Sequence, residues 1–383
     1  MANTPWRAAI ERMLVRMEDT TGRVGMRFPH WANTDTGEWV STAHGDWTGG
    51  YWVGMNWLAH RLTGDRKYEQ RAAAACERLR PRIHADTVFR SFPLYYGAAL
   101  GAILGDQPAA RAMALECAHA MVQSFDPDLK LIALGRQAEE GSHIGTSETS
   151  IDSMQTATLL YWAATVDDDL AMRNIAFHHA DRILSLHLRD DDSFIQSSSL
   201  DPHTGALVRH YTHKGWSDTS TWGRAQAWGM IHAVMAYLRD PKQKQWLAAA
   251  VRGADWWMAH VPADKIAYWD FDDPDIPATE RDATATAIAT AALLKLATAA
   301  PPGRRQEYQD FAEATAMALI KQCLTPTRTG DPRTPGTLTT CCFNKRADAR
   351  PHDAASNCEF IVGSYYLLES LAMLDGVIEP HLI

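Results

Sequence analysis

The sequence has no apolar run of about 18 residues, the minimum for a helix that crosses a bilayer. Its first twenty residues, MANTPWRAAIERMLVRMEDT, are charged throughout. They lack the apolar stretch and cleavage site of a secretory leader. Lys/Arg clusters are also missing, and the formal charge is −9, which argues against a nucleic-acid partner. The six cysteines (Cys76, Cys117, Cys323, Cys341, Cys342 and Cys358) show no metal-ligand spacing. Free thiols in a reducing cytoplasm are therefore expected, and a cytoplasmic location with them. Ser/Gly, Pro-rich and charge-block linkers are absent, so residues 1–383 are read as one catalytic domain.

What is present is helical periodicity. Apolar spacing with start and stop signals recurs over 4–18, 48–63, 66–80, 92–104, 107–124, 151–166, 168–187, 222–239, 241–259, 282–298, 304–323 and 358–375. Alternate members, such as DRKYEQRAAAACERLR, carry charge on one face. The others, such as WTGGYWVGMNWLAH and ATATAIATAALLKLA, are apolar nearly all round and rich in small residues. A helix apolar on every side is normally buried. Strict alternation of buried and amphipathic helices predicts an all-α fold, a closed (α/α)6 barrel with an inner and an outer ring. An open solenoid would want clearer repeats and polar caps. One hairpin is expected in FIQSSSLDPHTGALVRHYTH, turning at Asp201–Gly205.

Connections from outer to inner helices are long (125–150, 188–221, 260–281 and 324–357), and those from inner to outer are short. Long loops in a compact domain usually carry function. The pocket is therefore expected where the inner helices begin.

Polar residues at those starts are the candidates. Asp152, in TSIDSMQTATLLYWA, serves either as a first-turn cap or as a general acid/base. Ser147, Thr149 and Ser150 already offer caps, which favours the chemical role. In HKGWSDTSTWGRAQAWG, the residues Lys214, Trp222, Arg224, Gln226 and Trp228 combine aromatic faces with cations. A sugar ring stacks on such faces, and a guanidinium holds its carboxylate. Trp47 precedes its helix and is a candidate pocket wall. His187, in SLHLRDDDS, is either a substrate ligand or a helix-capping histidine. The acidic stretch YWDFDDPDIP lacks the spacing of a calcium loop, so no metal is expected there.

These blocks resemble the unsaturated glucuronyl hydrolases and the related unsaturated rhamnogalacturonyl hydrolases (glycoside hydrolase families 88 and 105). The resemblance rests on DWTGGYWVGMNWLAHRLTGD, IDSMQTATLLYWA, GWSDTSTWGRAQAWG, YWDFDDPDIPATERDATATAIA and GSYYLLESLAML. It implies an (α/α)6 barrel that removes an unsaturated uronic acid from oligosaccharides left by polysaccharide lyases. It also implies no metal and no organic cofactor. The family's catalytic aspartate falls on Asp152, and its Trp and Arg fall on Trp222 and Arg224. Three positions depart from the family pattern. Phe89 or Arg90 stands where a second aspartate is usual, Lys214 stands for a frequent Gln, and Ser364 replaces an Asp. Arg90 is read either as a pocket anchor for the substrate carboxylate or as an outward-facing residue paired with a surface acid. The partner expected is an acidic oligosaccharide, with no membrane or nucleic acid and with monomer and homodimer both open. Action on a different acidic or saturated glycoside, by hydrolysis or elimination, is the enzymatic alternative. Asp218 or Asp282 would then supply a second carboxylate. A catalytically inactive sugar-binding protein is the third reading.

Overall fold

Short turns build this fold from helical pairs. The computed structural model describes residues 4–138, 147–328, 330–349 and 353–383. Helix α1 (Pro5–Val24) opens with Thr4 accepting from Arg7 N–H and with proline at the first helical position. Helix α2 (Gly49–Thr63) stops at Gly64, whose φ of 72° favours glycine. The next residue, Asp65, accepts from Lys67 N–H and starts α3 (Arg66–Glu77). The same stop-and-start logic recurs at Asp168 and Asp169, between α6 (Gln155–Asp167) and α7 (Leu170–His187). Abrupt reversals of this kind leave each buried helix beside an amphipathic one.

The buried helices close a ring. Helix α2 packs on the helical segment Pro93–Gly105, and that segment on α6. The series continues through α8 (Gly223–Arg239), α10 (Ala283–Ala299) and α12 (Ile361–Leu374), which returns to α2. Helices α1, α3, α5 (Pro108–Val122), α7, α9 (Lys244–His260) and α11 (Pro302–Gln322) pack outside them. This is the (α/α)6 architecture that the alternation predicts. Small residues set its tightness: a Cβ on Gly50 would lie 2.4 Å from Pro93 Cα and 2.9 Å from Phe92 O. No helix among the described residues is long and apolar enough to cross a membrane.

Two inner helices differ from the sequence reading. The second begins as a 3-10 turn at Val88–Arg90, winds as a π-helix over Pro93–Ala99 and becomes α-helical only at α4 (Leu100–Gly105). Pro93 has no N–H to close an ordinary helical turn onto Phe89. The last inner helix was expected from residue 358, but Cys358–Phe360 is strand β8 and α12 starts at Ile361.

Among the described residues, three small sheets trim the rim. In the first, β1 (Phe28–Asn33) lies between β2 (Trp39–Thr42) and β8. The second pairs β3 (Phe125–Asp126) with β4 (Leu131–Ile132). In the third, β5 (Glu148–Ser150) pairs with β6 (Ser197–Leu200), which pairs with β7 (Leu207–Tyr211). The β6–β7 hairpin turns where expected. Asp201 accepts from the backbone of His203 and Thr204, and Gly205 has a φ of 66°. Strand β8 is held by a buried ion pair between Glu359 and Arg16 of α1. Ser364 donates to the same carboxylate.

Candidate active site

Six inner helices begin at one end of the barrel, and the residues that start them meet there. Thr48 precedes α2, Trp222 precedes α8, Asp282 precedes α10 and Phe360 precedes α12. A network of ring contacts joins the starts of α2, the second inner segment and α12 to Trp228 of α8. Trp47 packs against Phe92 (5.7 Å between centroids), Phe360 (5.9 Å) and His30 (6.4 Å). His30 also meets Phe343 at 4.9 Å, and its Nδ1 shares a hydrogen bond with Thr48 Oγ1. Trp228 stacks on His232 and meets Phe92 and Tyr366, forming the wall deeper in the barrel.

Asp152 lies in the 3-10 turn Ile151–Met154 that leads into α6, and it is only 5 % exposed. The turn is fixed from both sides. Ile151 N–H donates to Gln196 O at 2.9 Å, and His179 Nε2 bonds to Ser153 O at 2.9 Å. Burial first, then the Tyr96 phenol and the Asp152 charge, push the Tyr51 hydroxyl well above its ordinary pKa, against a smaller lowering by the Tyr366 hydroxyl. Tyr51 therefore stays protonated and polar. It stacks on Tyr96, whose hydroxyl is hydrogen-bonded to that of Tyr366.

Two cations of the predicted cluster are buried at this end of the barrel. Arg224 pairs with the buried Asp282 and also donates to the carbonyls of Cys342 and Phe343. Its guanidinium lies 4.4 Å from the Trp222 ring. Asp282 also caps α10 by accepting from Thr284 N–H. Arg224 thus fastens the 342–343 segment to the starts of α8 and α10. Lys214 is buried, with Nζ 3.8 Å from the centre of the Phe343 ring. Its backbone N–H donates to Gln196 Oε1, which also accepts from Thr212 and His213. Sequence reasoning missed Gln196, as well as His30, Tyr51, Phe343 and Phe360. The sequence signal for Gln196 is an amide immediately before the hydroxyl-rich strand β6.

Several expected ligands lie elsewhere. Arg90 is corrected outright: its guanidinium donates to Ala85 O, Ala120 O and Ser124 Oγ, which ties the second inner segment to α5 and its end. The 3-10 turn at Val88–Arg90 points the side chain to the outer ring. Gln226 also faces outward, accepting from Phe194 N–H and donating to Gly253 O of α9. His187 is buried at the end of α7, with Nδ1 bonded to Ile183 O and Nε2 3.3 Å from Ser198 Oγ. It braces the sheet that leads into Asp152. Asp218, one of the two alternative second carboxylates, is exposed and accepts from Thr212 N–H. The acidic stretch after Trp269 is engaged by protein donors. Asp270 accepts from Ser220 and Trp216, and Asp273 from Trp269, Thr279 and Lys345.

No family model matches the chain. A whole-length comparison does. The chain is 31% identical over 383 residues to the unsaturated glucuronyl hydrolase of Bacillus sp. (strain GL1), covering 97% of each protein. The chain belongs to the unsaturated glucuronyl hydrolase family. The crystal structure of the Bacillus sp. GL1 enzyme, described as responsible for degradation of glycosaminoglycan, superimposes with a TM-score of 0.88 at 29% identity. That match covers 97% of both chains. A solved complex of a family enzyme with dGlcA-Glc-Rha-Glc matches with the same score, identity and coverage. Membership agrees with the enzymatic reading and with the helical barrel.

Proposed function

We propose that this protein is a glycoside hydrolase that removes a 4-deoxy-hex-4-enuronate from lyase-made acidic oligosaccharides, with Asp152 as the proton donor. The observation that carries the reading is the setting of Asp152. A carboxylate almost closed off from water sits at the start of an inner helix, and aromatic walls and a buried lysine occupy the same end of the barrel. Asp152 delivers a proton to one carbon of the ring double bond, and a water oxygen adds to the other. The hemiketal formed in this way opens, and the remaining sugar leaves with a free hydroxyl. Trp47 and Trp222 bound the ring. Lys214, whose buried ammonium lies against Phe343 at this end of the barrel, faces the substrate carboxylate.

Hydrolysis of a saturated glycoside would need two carboxylates about 5–10 Å apart. Asp282 is committed to Arg224 and Asp218 is exposed, which weighs against them as the second member. The test is loss of the enol-ether absorbance on incubation with lyase-made disaccharides. The wild-type chain consumes the chromophore, and Asp152→Asn is at least about a hundredfold slower with its fold and ligand binding intact. Normal turnover in Asp152→Asn removes this residue from the mechanism. A wild-type protein that binds the disaccharide but leaves its absorbance unchanged would return the binding-protein reading.

A further inference from the structure

The loop that carries Lys214 and Trp222 has an outer side as well. There an open groove of about 590 Å³ runs between the ends of α7 and α9. Its walls include Trp216, Trp256, His260, Tyr268, Phe271 and Asp272. The volume falls within the range of about 300–1,000 Å³ typical of small-ligand sites. None of these residues belongs to the aromatic network around Asp152.

Trp216 is the unusual member. It is 51 % exposed, whereas most tryptophans of this chain are buried. Its placement is nonetheless fixed. Its backbone N–H donates to Asp270 Oδ2 at 2.8 Å, and the same oxygen accepts from Ser220 Oγ at 2.7 Å. The other oxygen of Asp270 accepts from Asp272 N–H at 2.9 Å. Gly215, just before it, packs so closely on Trp222 that an added Cβ would lie 3.1 Å from Trp222 Cβ. The indole is thus held on a braced loop and shares that wall with the barrel mouth. Opposite it, Trp256 is braced by His260, stacked at 3.9 Å, and by Phe271 at 5.1 Å.

The polar groups of the groove select against an anion. Arg189 is its one arginine, and that residue is spent on Ser193 Oγ, Thr219 O and Thr221 Oγ1. Asp191 and Asp272 bring negative charge to the lining, with one oxygen of each already accepting from the loops (Asp191 Oδ1 from Ser193, Asp272 Oδ2 from Thr221 N–H). Aromatic faces with carboxylate acceptors match the two sides of a neutral pyranose. Its C–H face stacks, and its hydroxyls donate.

We propose that this groove is a second carbohydrate site, which binds neutral pyranose residues of a glycan chain outside the catalytic mouth. The choice of a glycan as occupant rests on the glycosidase reading, but binding in the groove requires no hydrolysis. Titration of tryptophan fluorescence with cellotetraose, xylotetraose and mannotetraose tests it in an Asp152→Asn background. At least one should quench saturably. Trp216→Ala should weaken that binding by tenfold or more, and Trp216→Phe should restore part of it. In the otherwise wild-type enzyme, Trp216→Ala should leave KM for an unsaturated disaccharide unchanged. Failure of all three tetrasaccharides to bind, or equal binding by Trp216→Ala, overturns the proposal. So does tighter binding of tetragalacturonate than of the neutral sugars that is itself lost in Trp216→Ala. A failed hydrolase reading would appear instead as an unchanged chromophore, independent of Trp216.

Discussion

Acid should destabilise this protein sharply between pH 6.5 and 4, because three imidazoles are buried in their neutral form. Burial pushes His179 and His187 down to about 4 and His232 down to about 3, from an ordinary value of 6.5. The geometry agrees. His179 Nδ1 accepts from Ile132 N–H while Nε2 bonds to Ser153 O, so a second ring proton would face a donor. Among the described residues His232 has no hydrogen-bond partner for either nitrogen, and it lies flat against Trp228. The unfolded chain binds these protons near pH 6.5 and the folded chain does not. Their contribution to stability is therefore fully present above pH 6.5 and is lost as the pH falls towards the folded values. At pH 5 each histidine costs about 2 kcal/mol, since a tenfold change in proton activity is worth about 1.4 kcal/mol. Three together cost about 6 kcal/mol, comparable with a whole folding free energy of about 5–15 kcal/mol. Urea denaturation at pH 7 and pH 5 measures the loss. His232→Leu isolates one contribution and should reduce the loss between the two pH values by about 2 kcal/mol. A variant that loses as much stability as the wild type would refute the assignment of that proton to His232.

Two further outcomes follow from packing. Arg90→Ala leaves Ser124 and two half-buried carbonyls without this donor. It should cost about 2–4 kcal/mol in a denaturation experiment, while KM for a uronide and its neutral counterpart change alike; a rise confined to the uronide would bring back the carboxylate-anchor role. Gly50→Ala forces α2 away from the Pro93 backbone and should cost about 1–3 kcal/mol, read as a lowered Tm; a change within about 0.5 kcal/mol would mean the ring is looser than its geometry.

The fold was largely legible because its signals are local. Caps at Thr4, Asp65 and Asp169, a stop at Gly64 and the contrast between buried and half-charged helices depend on neighbours in sequence. Closure of the ring follows from their alternation. The location of Asp152 was legible for the same reason, as a carboxylate at the start of an otherwise apolar helix. Directions of side chains were not. Arg90 turns outward because its turn is 3-10 and the following segment is a π-helix, neither of which hydrophobic spacing reveals. His30 and Phe360 reach the mouth through β1 and β8, which pair across more than three hundred residues. Gln196 and Gln226 are both buried amides. Gln196 faces the mouth and Gln226 faces the outer ring, and only tertiary contacts separate them.

The inner helices all present their N-terminal ends to the same mouth, each a site of partial positive charge from peptide dipoles. The chain as a whole carries a formal charge of −9. An anionic substrate therefore meets a repulsive protein at long range and an attractive opening at short range. At physiological ionic strength the Debye length is about 8 Å, so the diffuse repulsion is screened while the field inside the mouth survives. Selection for a negative group then resides in the last few ångströms of approach, and the acidic exterior discourages polyanions from settling anywhere else.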